Sequence, residues 1–202
     1  MRTSIYGVHP GVAMIQNAIA GLPARTGRSL DEWIAVIKKH GPKDDTARRE
    51  WLKKTHKLGT NYAGWLADAA AGKGETGDPD EYLQTAERYV EAMFAGAKAP
   101  MRRVYDALLE RGLSVGGDVR ACPCKTIVPL YRRHVFAQIK PATRTRIDLG
   151  LALGNAKTPK RLVETGGFEK GDRITHRIEI TAMSDIDEDV MRWLKRAYAL
   201  DA

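Results

Sequence analysis

The 202 residues carry a formal net charge of +8 and 43% hydrophobic side chains, enough apolar content to bury a core and too much for a wholly disordered chain. The longest apolar run, from Ile5 to Ala20, is broken by His9, Pro10, Gln16 and Asn17, which excludes it as a bilayer-spanning helix. Positive charge is clustered: residues 1–75 hold 12 Lys and Arg against 7 Asp and Glu, and residues 119–181 hold 13 against 5, a distribution that suits a polyanionic partner better than a uniform excess would.

In chain order, Val12, Ile15, Ala18 and Ile19 fall at helical spacing and predict a first helix over Gly11–Gly21, stopped at Gly21-Leu22-Pro23. Ser29-Leu30-Asp31-Glu32 has the pattern of a reciprocal N-terminal cap, and a second helix follows through Trp33, Ile34, Val36 and Ile37 to a stop at Gly41-Pro42. Asp44 and Asp45 start a third helix, where their charge complements the helix dipole. Its basic residues Arg48, Arg49 and Lys53 then lie beside the apolar Trp51 and Leu52. A fourth helix covers Tyr62–Ala71, and the Leu58-Gly59-Thr60-Asn61 turn before it either offers backbone N–H groups to a phosphate or serves as an ordinary connection, the commoner use. Gly72–Gly77 reads as a linker, giving a helical domain over residues 1–73 and a second domain over 78–202.

Asp78-Pro79 opens a helix with an apolar stripe through Tyr82, Leu83, Ala86, Tyr89, Val90, Met93 and Phe94, and another helix spans Met101–Arg111. From Val119 the period changes to two. Short strands are expected over Val119–Cys122 and Thr126–Tyr131, the latter an edge strand or bulge because Pro129 cannot donate to a ladder. Arg132-Arg133-His134 forms a basic turn into a strand over Val135–Lys140. Arg144–Leu153 and Arg173–Thr181 alternate apolar and polar residues, the signature of half-buried strands. Ser184 and the acidic residues after it cap a last helix through Val190, Trp193, Leu194 and Tyr198. The fold expected is α+β: a small helical domain, a linker, then a mainly antiparallel sheet of four or five strands with helices on one face.

The first half is similar to domain of unknown function 4287 through Ile15-Gln16-Asn17, the run Arg25-Thr26-Gly27-Arg28-Ser29-Leu30-Asp31-Glu32-Trp33-Ile34, Leu58-Gly59 and Tyr62-Ala63. The second half resembles domain of unknown function 5655 through Lys125-Thr126, Phe136-Ala137, Thr143-Arg144-Thr145-Arg146, Asp148-Leu149-Gly150-Leu151 and Thr175-His176-Arg177. Together these resemble a bacterial two-part family covering nearly the whole chain. The resemblance implies a fold and an architecture but no reaction. The second part also occurs beside nuclease domains, and its strand pattern is loosely similar to small α+β proteins of the YjbR and YdhG kind, some associated with DNA binding and some with iron handling, an analogy at the level of fold that names no function. Ala121-Cys122-Pro123-Cys124 departs from the family pattern.

No nucleophile elbow, phosphate-binding loop or dinucleotide fingerprint is present in the sequence, so no catalytic residue is assigned and the chain reads as a binding protein without a cofactor. Cys122 and Cys124 supply two soft ligands where a structural zinc site needs four; inert cysteines in a reducing, cytoplasmic setting are expected, because a disulfide across one residue would be strained. His176 falls on an apolar strand face and reads as a hydrogen-bonded core histidine rather than a base. The candidate binding residues are the cations: Lys125, Arg132, Arg133, Lys140, Arg144, Arg146, Lys160, Arg161, Arg173 and Arg177 on a sheet face and its rim, with Arg48, Arg49 and Lys53 of the third helix. DNA or RNA held through phosphates is the first reading. An acidic protein partner is the second, a metal-handling protein or enzyme the third, and a plain solvated surface the reading without a ligand. No membrane partner is expected.

Overall fold

The computed structural model describes residues 4–73, 77–157, 159 and 161–202. Two compact units divide the chain, one of His9–Tyr82 and one of residues up to Val8 together with Leu83–Ala202. The expected linker falls partly on residues 74–76, outside the described residues.

The N-terminal unit holds α1 (Pro10–Thr26), α2 (Leu30–His40), α3 (Asp45–His56) and α4 (Thr60–Ala70). Contrary to the sequence reading, α1 runs through Gly21-Leu22-Pro23. Leu22 is fully buried and anchors that turn, and the Thr26 hydroxyl donates to the Leu22 carbonyl at 2.8 Å. The helix ends instead at Gly27, whose φ of +75° only glycine adopts without strain. Both bonds of the cap expected at α2 form: the Glu32 N–H donates to the Ser29 hydroxyl and the Ser29 N–H to the Glu32 carboxylate, the latter at 2.7 Å. Leu22, Trp33, Ile37, Leu52, Ala63, Leu66 and Ala67 form the core. Ala63 and Ala67 let α4 approach its neighbours closely, and Trp33 spends its one polar atom on the Thr26 hydroxyl at 2.8 Å.

The C-terminal unit carries α5 (Pro79–Met93) from Leu83 onward, a 3₁₀ turn (Gly96–Met101), α6 (Arg102–Leu113) and α7 (Glu188–Leu200). These accompany a six-stranded sheet of β1 (Arg120–Ala121), β2 (Val128–Tyr131), β3 (Val135–Pro141), β4 (Ile147–Leu151), β5 (Val163–Glu164) and β6 (His176–Ile180), in the order β1-β2-β3-β4-β6-β5 with every pair antiparallel. Among the described residues the strand that was not expected is β5, whose two residues are too few to show a period and lie in a stretch rich in Gly, Lys and Pro, whereas β1 falls within the strand expected over Val119–Cys122. Beyond β1, the Gly7 N–H donates to the Ala121 carbonyl at 2.9 Å, and Tyr6 meets Tyr105 of α6 hydroxyl to hydroxyl at 3.2 Å, so the N-terminal segment shields that edge.

Val128, Leu130, Ala137, Ile139, Ile147, Leu149, Leu151, Ile178 and Ile180 are fully buried and build the covered face. α6 and α7 lie against it. A Cβ on Gly112 of α6 would come within 2.5 Å of Leu130, which is how closely that helix rests on β2. A bulge where β2 meets β3 interrupts the alternation, so that the neighbours Phe136 and Ala137 are both buried and Phe136 packs edge-on to Tyr198 of α7. Pro129 is not on an edge strand. Its carbonyl accepts from Cys122 just past the end of two-residue β1, so its missing N–H falls where that ladder stops. Ser184 does not cap α7; Asp187 does, accepting from the N–H groups of Asp189 and Val190, while Ser184 sits in a 3₁₀ turn.

Candidate functional site

The open face of the sheet was expected to present arginines. Register decides otherwise. Asp148 stands opposite Glu179, and Gly150 opposite Arg177, which brings two acids and two guanidinium groups together. Arg146 contacts Asp148 at 2.9 Å and Glu179 at 3.0 Å, while Arg177 contacts Glu179 at 3.2 Å and Asp148 at 3.7 Å. The cluster is electrically neutral, and the Asp148 side chain keeps only 14% of its exposure.

The other arginines expected on that face lie elsewhere. Arg132 stacks over the Tyr198 ring at 4.3 Å and pairs with Asp118. Arg173 lies before β6, not in it, and binds the buried Asp201 at 2.6 Å; His134 holds the same carboxylate through its backbone N–H at 2.8 Å and its ring. Arg161 grips Asp187 at the start of α7 at 2.6 Å. In the N-terminal unit Arg48 is a clamp, bonded to the carbonyls of Pro42 and Lys43 and to Asp45, while Arg49 pairs with Asp68 and Lys53 with Glu50. Arg133 stands exposed at the β2–β3 turn. Lys160 lies outside the described residues.

Three expected cations do come together. Arg144 is not in β4: the Ala142 and Thr143 N–H groups both donate to the Arg146 carbonyl, at 3.0 and 3.1 Å, closing a turn that carries Arg144 at its tip. Beside it are Lys140 at the end of β3 and Lys125 between β1 and β2. With Arg88 and Lys98 they line a half-open groove of about 1000 Å³. Its walls are the later turns of α5 (Thr85, Arg88, Tyr89, Ala92, Met93), the Ala95–Lys98 stretch, Lys125-Thr126 and the Lys140–Arg144 turn. Met93 and Pro141 are its buried floor, whereas Arg88, Lys125, Lys140 and Arg144 are exposed around it.

Among the described residues, five cations line this groove and none of its lining residues is Asp or Glu. Lys98 donates to the Pro141 carbonyl at 2.7 Å, pinning the 3₁₀ turn to the end of β3, and Arg88 donates to the Thr85 hydroxyl at 2.9 Å. Lys140 faces Asp148 across the ladder, but that carboxylate is held by Arg146 and Arg177. Among the described residues no carboxylate lies within ion-pairing distance of any of the five. Such a concavity attracts anions, since like charges converge on it from several elements at once.

Sequence reasoning missed Arg88 and Lys98 because the segment containing them is acidic overall. A signal was there: Thr85, Arg88, Tyr89 and Ala92 follow the i, i+3, i+4, i+7 spacing of one helix face.

Cys122, Cys124 and His176 are not among the described residues that line the groove, although Cys124 directly precedes Lys125. Burial pushes the Cys122 thiol up to about 11, and its sulfur donates to the Val8 carbonyl at 3.6 Å, while Cys124 reaches the Cys122 carbonyl at 3.8 Å. His176 uses both ring nitrogens, on the Thr175 hydroxyl at 2.8 Å and the Ala156 carbonyl at 3.0 Å, as a core histidine does. Among the described residues there is no cluster of three or more His, Cys, Asp or Glu placed to hold a metal ion, and no helix is long and apolar enough to cross a membrane.

Against known families, the model described as Domain of unknown function (DUF5655) matches residues 90–201, and that described as Domain of unknown function (DUF4287) matches residues 14–72. No curated protein and no solved structure matches the chain.

Proposed function

We propose, for a chain that belongs to the DUF5655 family and carries a DUF4287 region ahead of it, that the C-terminal unit binds nucleic acid through phosphates at the cationic groove. The observation that carries this reading is the contrast in pairing. Arg146, Arg177, Arg132, Arg161 and Arg173 each meet a carboxylate, whereas the cations of the groove meet none among the described residues. A cation already paired gains little from a phosphate; an unpaired one gains the full attraction and releases condensed counterions from the nucleic acid. Four of the five groove cations are exposed, so contact with a phosphate needs no rearrangement of the core.

Titration of labelled oligonucleotides with the full chain over a series of salt concentrations tests the reading. The expected result is affinity that falls linearly on a log–log plot against salt. Absence of binding at low ionic strength overturns it. An acidic protein is the competing partner for the same surface, and full displacement of bound oligonucleotide by far less polyglutamate than unlabelled nucleic acid would favour that partner instead.

A further inference from the structure

The proposal above, on which this one rests, concerns charge alone. The groove has a second property that phosphate binding does not require: it is concave, and its buried lining residues are apolar. Met93 and Pro141 are buried at its base, with Tyr89, Ala92 and Ala142 beside them. A duplex offers a convex surface of phosphates with its bases stacked inside, so it would meet the rim and leave this floor uncovered. A single strand has unpaired bases with two apolar faces each, and proteins that hold such strands combine a cationic channel with a surface on which bases stack.

The elements supply both parts. Tyr89 and Met93, four residues apart on α5, present an aromatic ring and a polarizable thioether on one helix face. Arg88 flanks them on the same helix, while Lys125, Lys140 and Arg144 approach from the sheet. The volume of about 1000 Å³ is at the upper end of the roughly 300–1,000 Å³ typical of small-molecule sites, which leaves room for more than one nucleotide. The hydroxyls of Thr85 and Thr126 add polar contacts at the border without adding negative charge.

We infer that the groove is selective for single strands, seating unpaired bases against Tyr89 and Met93 while the surrounding cations hold the flanking phosphates. The direct test compares three probes of equal length at one salt concentration by fluorescence anisotropy: a mixed-sequence single strand, the blunt duplex of that sequence, and an abasic single strand that keeps the phosphates without the bases. The intact strand is expected to bind about tenfold more tightly than either of the others, roughly the effect of seating one base on an aromatic surface. Tyr89→Ala should remove that advantage while leaving the salt dependence unchanged, and Tyr89→Phe should retain it. Equal affinity for all three probes overturns the inference and leaves phosphate binding standing. Failure of every probe to bind overturns both. The abasic comparison uses the native chain, so it decides the matter even where Tyr89→Ala does not fold.

Discussion

The open sheet face and the α5 groove, both in the C-terminal unit, are each rich in cations, yet they are opposite in character. On the sheet face, Arg146 and Arg177 alternate with Asp148 and Glu179 in a neutral lattice with contacts of 2.9 to 3.7 Å. In the groove, five cations share a surface that carries no carboxylate among the described residues. The difference teaches that the number of basic residues on a surface says little about its affinity for anions. What matters is whether the fold has already given each one a partner. Paired charges hold strands in register; unpaired charges are available to a ligand.

The largest effect should come from reversing the unpaired set. Lys125→Glu, Lys140→Glu and Arg144→Glu together are expected to reduce nucleic-acid affinity by two orders of magnitude or more at low salt, since about three phosphate contacts become repulsions. Exposed side chains hold little of the fold, so the thermal midpoint should move little, and calorimetry on the same sample checks this. A large fall in the midpoint would break the comparison by giving the groove cations a structural role.

On the paired side the effects should reverse. Asp148→Ala leaves two partly buried guanidinium groups sharing Glu179 and is expected to cost about 1–3 kcal/mol, between the value of an exposed ion pair and that of a buried one. Denaturant unfolding measures it. Nucleic-acid affinity at the groove should not decrease.

A smaller effect concerns acid. Asp185 lies below its ordinary value of 3.8 chiefly because the Thr181 backbone N–H donates to it, and Asp187 lies below the same value chiefly through the Val190 N–H. Both folded values are depressed, so their contribution to stability is fully present above 3.8 and is lost as pH falls through the lower folded values. The thermal midpoint should therefore stay level from neutrality down to about pH 4 as far as these groups are concerned, then drop. Asp185→Asn should make the drop shallower, and an unchanged acid limb would contradict this role for the carboxylate.

Local signals in the sequence located most of the architecture. The reciprocal cap at Ser29 and Glu32, the proline start of α5 and the alternation through Ile147, Leu149 and Leu151 each depend on residues near one another in the chain, and each appears in the structure. Strand ends were harder to read. Arg144 continues the alternation of β4, but the bonds from Ala142 and Thr143 to the Arg146 carbonyl turn the chain first. That turn moves Arg144 from the sheet face to the groove. Pro23 failed as a stop because a buried neighbour outweighed its local cost.

The site was legible only in part. Lys125, Lys140 and Arg144 were among the expected binding residues, but so were eight cations that the fold pairs with acids. Pairing across strands follows from register, which links Asp148 to Glu179 over more than thirty positions of sequence and leaves no local trace. Arg88 and Lys98 were hidden for the converse reason, because segment charge averages over helix faces that point in different directions.

The most direct measurement is the salt dependence of nucleic-acid binding in two neutralised variants, one with Lys125→Gln, Lys140→Gln and Arg144→Gln, the other with Arg146→Gln and Arg177→Gln. The groove variant should lose about 0.7 to 0.9 of log–log slope for each phosphate contact removed, whereas the sheet variant should keep the native slope. An unchanged slope in the groove variant, or a reduced slope in the sheet variant alone, would contradict the account.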